Sequence, residues 1–199
     1  SYNKVKNKKG EKMTNSKWKI SFSELDSILK KLQVLLLDEI SNNKKIIDEL
    51  KTTYNIDFND NLVQKITNII KKTVEDIKKD LNFFYESDPA ASSIEEIYWS
   101  YPGFFALFIY RISHELANQK IKIIPRYLSE YAHSKTGIDI NPNAIIGCPC
   151  FIDHGTGIVI GETAILGNNV KIYQGVTLGA KSLSRGNLLK GVKRHPTIG

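Results

Sequence analysis

The sequence predicts an α+β chain in which a helical N-terminal region is followed by a parallel β-helix of hexapeptide repeats. Three observations carry that expectation. Apolar residues recur at three- and four-residue spacing from Ser23 to about Lys135, the period changes to six at Gly137, and the six-residue row breaks only after Ala180. A period of six is neither the 3.6 of a helix nor the 2 of a strand. It is met by a coil in which each repeat supplies one short strand and a turn and three repeats close one turn of the coil.

Residues 1–18 precede any apolar periodicity and are expected to form a mobile extension outside the fold. The first twelve residues carry five Lys and one Glu, so +4 of the formal +7 of the 199-residue chain lies there. What remains is only mildly basic, which argues against a nucleic-acid or anionic-membrane surface as the reason for the charge. The longest apolar runs are Val34–Leu37 and Phe104–Tyr110, far short of the ~18 residues that a membrane span needs. The composition also excludes collagenous, disordered and disulfide-scaffold classes.

The helical region is expected to cover 19–136. Ser23 with Asp26 three residues on opens a capped start, followed by Leu25, Ile28, Leu29, Leu32, Leu36 and Ile40. A second amphipathic run holds Leu62, Ile66, Ile69, Ile70, Thr73, Ile77, Leu81 and Phe84, with Lys and acidic residues opposite. Pro89 breaks the pattern at Glu86–Pro89. Further helices are expected over 103–118 and over 125–134, the latter with Pro125 in its first turn.

The repeats are expected to cover 137–199. Every sixth residue from Ile140 gives Ile140, Ile146, Ile152, Ile158, Ala164, Val170 and Val176. Ile160, Leu166, Ile172 and Leu178 form a second apolar row two residues on, and Gly137, Gly155, Gly161, Gly167 and Gly179 supply turns. Residues Lys181–Lys193 carry no hexad, so a loop at 181–195 is expected to protrude from one coil. The Ile198-Gly199 pair looks like the first step of a new repeat, and the repeat domain is therefore expected to be cut short.

Chemistry-bearing residues cluster in and beside the repeats. His154, between Asp153 and Gly155, supplies an imidazole, the side chain most often used as a general base, with a carboxylate at hand to fix its ring. Asp139 lies fifteen residues upstream, close to one coil away, and could place a second carboxylate beneath it. A histidine that merely caps a coil is the alternative. Arg194 and His195 close the extruded loop, where they suit a carboxylate ligand or are simply an exposed basic turn. His114, in mid-helix, is expected to be structural, and His133, near a helix end, is explained by the helix dipole. Asp88, before Pro89, points a carboxylate from a fixed backbone. Cys148 and Cys150 are two apart, which opposes a mutual disulfide, and no second pair completes a zinc site. Buried thiols in a reducing cytoplasm are expected.

Taken together, Asp88–Ala91, Tyr101–Phe104, Ser129–Pro142, Phe151–Ala180 and Lys193–Gly199 resemble serine O-acetyltransferases, the hexapeptide-repeat acyltransferases of cysteine biosynthesis. The resemblance spans roughly residues 62–199. It implies a left-handed parallel β-helix, a homo-oligomer built as a trimer or dimer of trimers, and active sites between subunits. It implies acetyl transfer from acetyl-CoA to the hydroxyl of L-serine in a ternary complex, with no metal and no acyl-enzyme. By position His154 matches the general base and Asp139 its paired acid. Asp88 and Asp153 match residues that hold the amino acid, and Arg194 and His195 match residues near its carboxylate. Backbone amides around Gly179 and Ala180 are candidates for CoA contact. The resemblance also implies a C-terminal tail that docks into O-acetylserine sulfhydrylase, which this chain is expected to lack. A related O-acetyltransferase acting on a sugar or antibiotic, and a shortened non-catalytic assembly partner, are the competing readings. A zinc β-helix is disfavoured, since only His154 and His195 lie in the repeats.

Overall fold

A computed structural model gives the structure of the chain and describes residues 42, 44–55, 57, 59–181, 186–189 and 191–199. The expected extension over 1–18 and the expected helix from Ser23 lie outside the described residues. Among the described residues five helices come first: α1 (Lys44–Tyr54), α2 (Asp60–Ser87), α3 (Ile94–Ser100), α4 (Pro102–Asn118) and α5 (Ile124–Thr136). The apolar periodicity had pointed to α2, α4 and α5, whereas α1 and the seven-residue α3 were too short to announce themselves.

Helix α2 begins where the Asn59 side chain accepts from the Leu62 N–H at 3.2 Å. Its buried stripe, Leu62, Ile66, Ile69, Ile70, Ile77, Leu81 and Phe84, matches the row read from the sequence. Phe84 ends the stripe in edge-to-face contact with Phe104 of α4 and with Phe151, at 5.7 and 4.8 Å between centroids. That aromatic junction joins helices to strands and is worth roughly 0.5–1.5 kcal/mol per pair beyond area burial.

Eight short strands follow among the described residues: β1 (Asp139–Ile140), β2 (Ile145–Ile146), β3 (Cys150–Asp153), β4 (Val159–Ile160), β5 (Ile165–Leu166), β6 (Val170–Tyr173), β7 (Thr177–Leu178) and β8 (Thr197–Ile198). They form three parallel sheets, β1-β4-β7, β2-β5-β8 and β3-β6. The chain therefore visits three faces in rotation and stacks each circuit on the one before. The interior is a column of side chains from Ile140, Ile146 and Ile152, then Ile160, Leu166 and Ile172, then Leu178.

That column corrects the unbroken six-residue series. Asp139 pairs with Val159, Ile145 with Ile165 and Cys150 with Val170, so the first circuit takes twenty residues, whereas Val159 pairs with Thr177 after eighteen. The inward row runs to Ile152 and resumes at Ile160. Ile158 instead continues the row of Ile138, Ala144 and Cys150, all buried beside it. Two extra residues enter between β3 and β4, in the segment that carries His154. Ile165 pairs with Thr197, and a 3₁₀ turn at Gly186–Leu189 falls between β7 and β8 in the chain.

Among the described residues no strand lies above the first circuit, and side chains from the helices bond to its open edge. The Tyr110 hydroxyl donates to the Ala144 carbonyl at 2.7 Å and accepts from the Ile146 N–H at 3.1 Å, as a strand residue would. Arg111 donates to the Ile146 and Gly147 carbonyls at 2.6 and 2.8 Å and holds Asp80 with two further N–H groups, at 2.8 and 3.0 Å. Asp80 in turn accepts from the Cys150 N–H at 2.9 Å. Ser129 donates to the Ile140 carbonyl, and His114 meets the Pro142 carbonyl at 2.8 Å, which makes His114 structural as expected. Buried backbone polar groups left unpaired cost about 1–3 kcal/mol each, which is the physical reason a helical layer rich in buried polar groups sits here. Burial pushes Asp80 above the usual carboxylate range against the pull of Arg111.

Candidate active site

The two extra residues make a tight turn. The Gly155 N–H donates to the Asp153 carbonyl at 2.6 Å, with His154 between them at φ 56°. A non-glycine residue in this left-handed region is uncommon and is held only by its surroundings. The consequence is a ring thrown outward: the His154 side chain is 73% exposed and its Nε2 lies 3.7 Å from Asp153 Oδ1. Its Nδ1 has no hydrogen-bond partner among the described residues.

Asp88 reaches the same corner from the helical side. It terminates α2, its N–H donating to the Phe84 carbonyl, and its Oδ1 accepts from the Ala90 N–H at 2.8 Å in the turn that Pro89 starts. Its Oδ2 accepts from the Tyr101 hydroxyl at 2.6 Å. These two hydrogen bonds, Tyr101 first, hold the Asp88 carboxyl below the usual range, and the charge of His154 lowers it a little further. The Tyr101 phenol is correspondingly pushed up to about 12, chiefly by that bond, so it stays a donor. Tyr101 caps both α3 and α4. Gly103 just beyond lets α4 pass so close to β3 that a Cβ there would lie 2.1 Å from the Ile152 carbonyl oxygen. Asp88, Asp153 and His154 thus converge, with Tyr101 as a fourth member. Its place in the quoted Tyr101–Phe104 run was the available signal, but its role was not read.

The other predicted residues make different contacts. Asp139 makes no hydrogen bond or ion pair to His154 among the described residues. Its carboxylate instead gathers with Glu130 and His133, their ligand atoms all within 4.8 Å of one another, and these are the described residues placed to hold a metal ion. Arg194 and His195 sit at the corner formed by Gly161–Thr163. Arg194 pairs with Glu162, and the Thr163 hydroxyl accepts from the Arg194 and His195 N–H groups at 2.9 and 3.1 Å. The Thr163 N–H donates to His195 Nδ1 at 3.0 Å, which leaves the proton of the neutral ring on Nε2. Burial, then Arg194, lowers the His195 pKa. A Cβ on Gly161 would lie 2.2 Å from His195 Nε2, so only glycine admits the ring. Thr163 anchors the return of the loop and was missed by the sequence reading. Gly179 and Ala180, half-buried, follow β7. Both cysteines are free, Cys150 buried and Cys148 half-buried, and burial pushes each thiol up to about 12, far from thiolate chemistry.

No protein-family model matches the chain. A curated serine acetyltransferase of Synechococcus elongatus is 48% identical over 141 residues, covering 67% of this chain. The chain is a homologue of the serine acetyltransferases. It spans 44% of the length of that relative. Serine acetyltransferase 1 of Entamoeba histolytica, solved in complex with L-cysteine, superposes with a TM-score of 0.66 at 38% identity, over 91% of this chain and 64% of that one. A serine acetyltransferase solved in complex with CoA matches with a TM-score of 0.65 at 28% identity, over 86% of this chain and 65% of that one. The helical region followed by parallel strands is therefore the architecture of these acetyltransferases. No helix among the described residues is long and apolar enough to cross a membrane.

Proposed function

We propose that the chain carries the catalytic core of a serine O-acetyltransferase, moving acetyl from acetyl-CoA to the hydroxyl of L-serine. The observation that carries this reading is the convergence of Asp88, Asp153 and His154 at one corner. His154 acts as the general base. Its exposed ring, with Nδ1 unpartnered among the described residues, takes the serine hydroxyl proton as the oxygen attacks the thioester carbonyl. The C–O bond forms, the C–S bond breaks, and the proton passes to the departing thiolate of CoA. A positioned base of this kind is worth about 10²–10⁴ in rate.

Asp88, kept ionised by Tyr101 and Ala90, binds the serine ammonium together with Asp153. Arg194 and His195 bind its carboxylate, with His195 neutral and donating through Nε2. Because these two stand at a different corner from His154, the reading includes an oligomer, a trimer or dimer of trimers, in which neighbouring subunits complete the site. Asp139 is the acid that supports His154, and the backbone near Gly179 and Ala180 receives CoA. The repeats, 137–199, form a left-handed parallel β-helix on a helical domain over 19–136. The reaction needs no metal, takes place in the cytoplasm, and its product passes to O-acetylserine sulfhydrylase.

The test follows CoA release with L-serine, L-homoserine and a sugar as acceptors, with His154→Ala alongside. Serine-dependent release that vanishes in the variant supports the assignment. Release without serine, preference for a sugar, or full activity in the variant overturns it.

A further inference from the structure

A second concave site lies away from the His154 corner, where the C-terminal end of α4 meets the start of α5 and the Asn141–Asn143 turn of the first circuit. Its cavity of about 300 Å³ is lined by Lys120, Lys122, Arg126, Asn141 and Asn143, and no acidic residue faces it. A volume of this size suits one small molecule.

The charges are placed for an anion. Lys120 and Lys122, both exposed, have no carboxylate partner among the described residues, whereas Arg126 is paired with Glu130. The Asn141 side-chain oxygen already accepts from the Asn143 N–H at 3.0 Å, so its amide NH₂ is the end left to donate. Helix α5 opens onto the same cavity with no side-chain cap and no acidic residue in its first turn, adding a partial positive charge in the same direction. The connecting segment is held in an unusual shape: Lys120 at φ 60° and Ile123 at φ 63°, a conformation that a β-branched residue rarely adopts. Two unpaired ammonium groups, an amide donor and a bare helix start facing one cavity form a charge pattern that the acetyl-transfer residues do not use.

We infer that this cavity binds a small phosphate- or sulfate-bearing molecule, with Lys120 and Lys122 as the principal contacts. Lysine serves such groups as a point charge, without the planar fork that carboxylates favour.

The experiment titrates the full chain with inorganic pyrophosphate and, separately, with sulfate, by calorimetry at low and high salt, with and without saturating CoA. The expected result is pyrophosphate or sulfate binding that weakens as salt rises, persists in the presence of CoA and in H154A, and falls roughly tenfold or more in the K120Q/K122Q double variant. Whichever anion binds more tightly identifies the ligand as phosphate- or sulfate-bearing. N143E, which sets a carboxylate at the rim, is a second and independent variant and is expected to weaken binding likewise. Absence of binding at millimolar anion, displacement by CoA, or unchanged affinity in either variant overturns the inference.

Discussion

Two acid–base pairs in this chain use the same attraction and come to opposite ends. Asp80 and Arg111 are buried, joined by two hydrogen bonds, and their remaining polar atoms bond to the backbone of the first circuit. Asp153 and His154 face outward on a left-handed turn, 3.7 Å apart. The difference lies in what the backbone asks of each pair. At the open edge the carbonyls need donors, so the pair is fully occupied and can only hold. At the inserted turn the backbone closes its own hydrogen bond, from Gly155 to Asp153, and the ring is left with a nitrogen to use.

Breaking each pair therefore has a distinct signature. His154→Ala is expected to give the largest effect, a fall of about 10²–10⁴ in kcat, with a melting temperature close to that of the parent because the side chain packs against little. A large loss of stability would show that the turn depends on the ring, and the contrast with the buried pair would fail. Arg111→Met comes next and inverts the pattern. It strands the Asp80 carboxylate and frees the Ile146 and Gly147 carbonyls, so urea denaturation is expected to show a loss of about 3–5 kcal/mol. A loss under about 1 kcal/mol would mean that the seam is not what seals the coil edge.

Tyr101→Phe sharpens the comparison by a smaller step. The hydroxyl is the largest influence holding the Asp88 carboxyl low. A depressed carboxyl favours the folded, ionised form above the ordinary carboxylate range and loses that advantage as pH falls through its own lower pKa. Without the hydroxyl the Asp88 pKa rises, so the acid limb of kcat/KM for serine is expected to move to higher pH while kcat on the plateau changes little. A profile identical to the parent would separate Asp88 from serine binding.

Much of this division was legible in the residues. The 3.6-residue stripe of α2 and the six-residue rows announced helices and coil because each pattern repeats many times. The slip of two residues at His154 was not legible, because Ile158 is aliphatic and keeps the six-residue count intact while occupying the neighbouring row. Spacing likewise suggested Asp139 beneath His154, but it could not announce that Asp139, starting β1 directly after α5, also comes within 4.8 Å of Glu130 and His133. Arg111 could not be singled out as one charge among the apolar residues of α4, since its partners are Asp80 and carbonyls some thirty-five residues away in sequence that no composition reveals. The convergence of Asp88 with Asp153 was carried by resemblance, not by any periodicity.

The smallest expected effect completes the series. Lys72 and Glu115 join α2 to α4 at 2.7 Å, as short as the Asp80–Arg111 contact, but the Lys72 side chain is 69% exposed. Water already solvates that ammonium, so the pair gains little on folding and is weakened by salt. Lys72→Ala is expected to cost no more than about 1 kcal/mol, read by the same urea titration as Arg111→Met and shrinking further at high ionic strength. If it cost as much as Arg111→Met, distance and not burial would set the worth of these pairs, and the buried seam would lose its special standing. If it is small, equal geometry with unequal consequence isolates the desolvated carbonyls that Arg111 serves as the source of the difference.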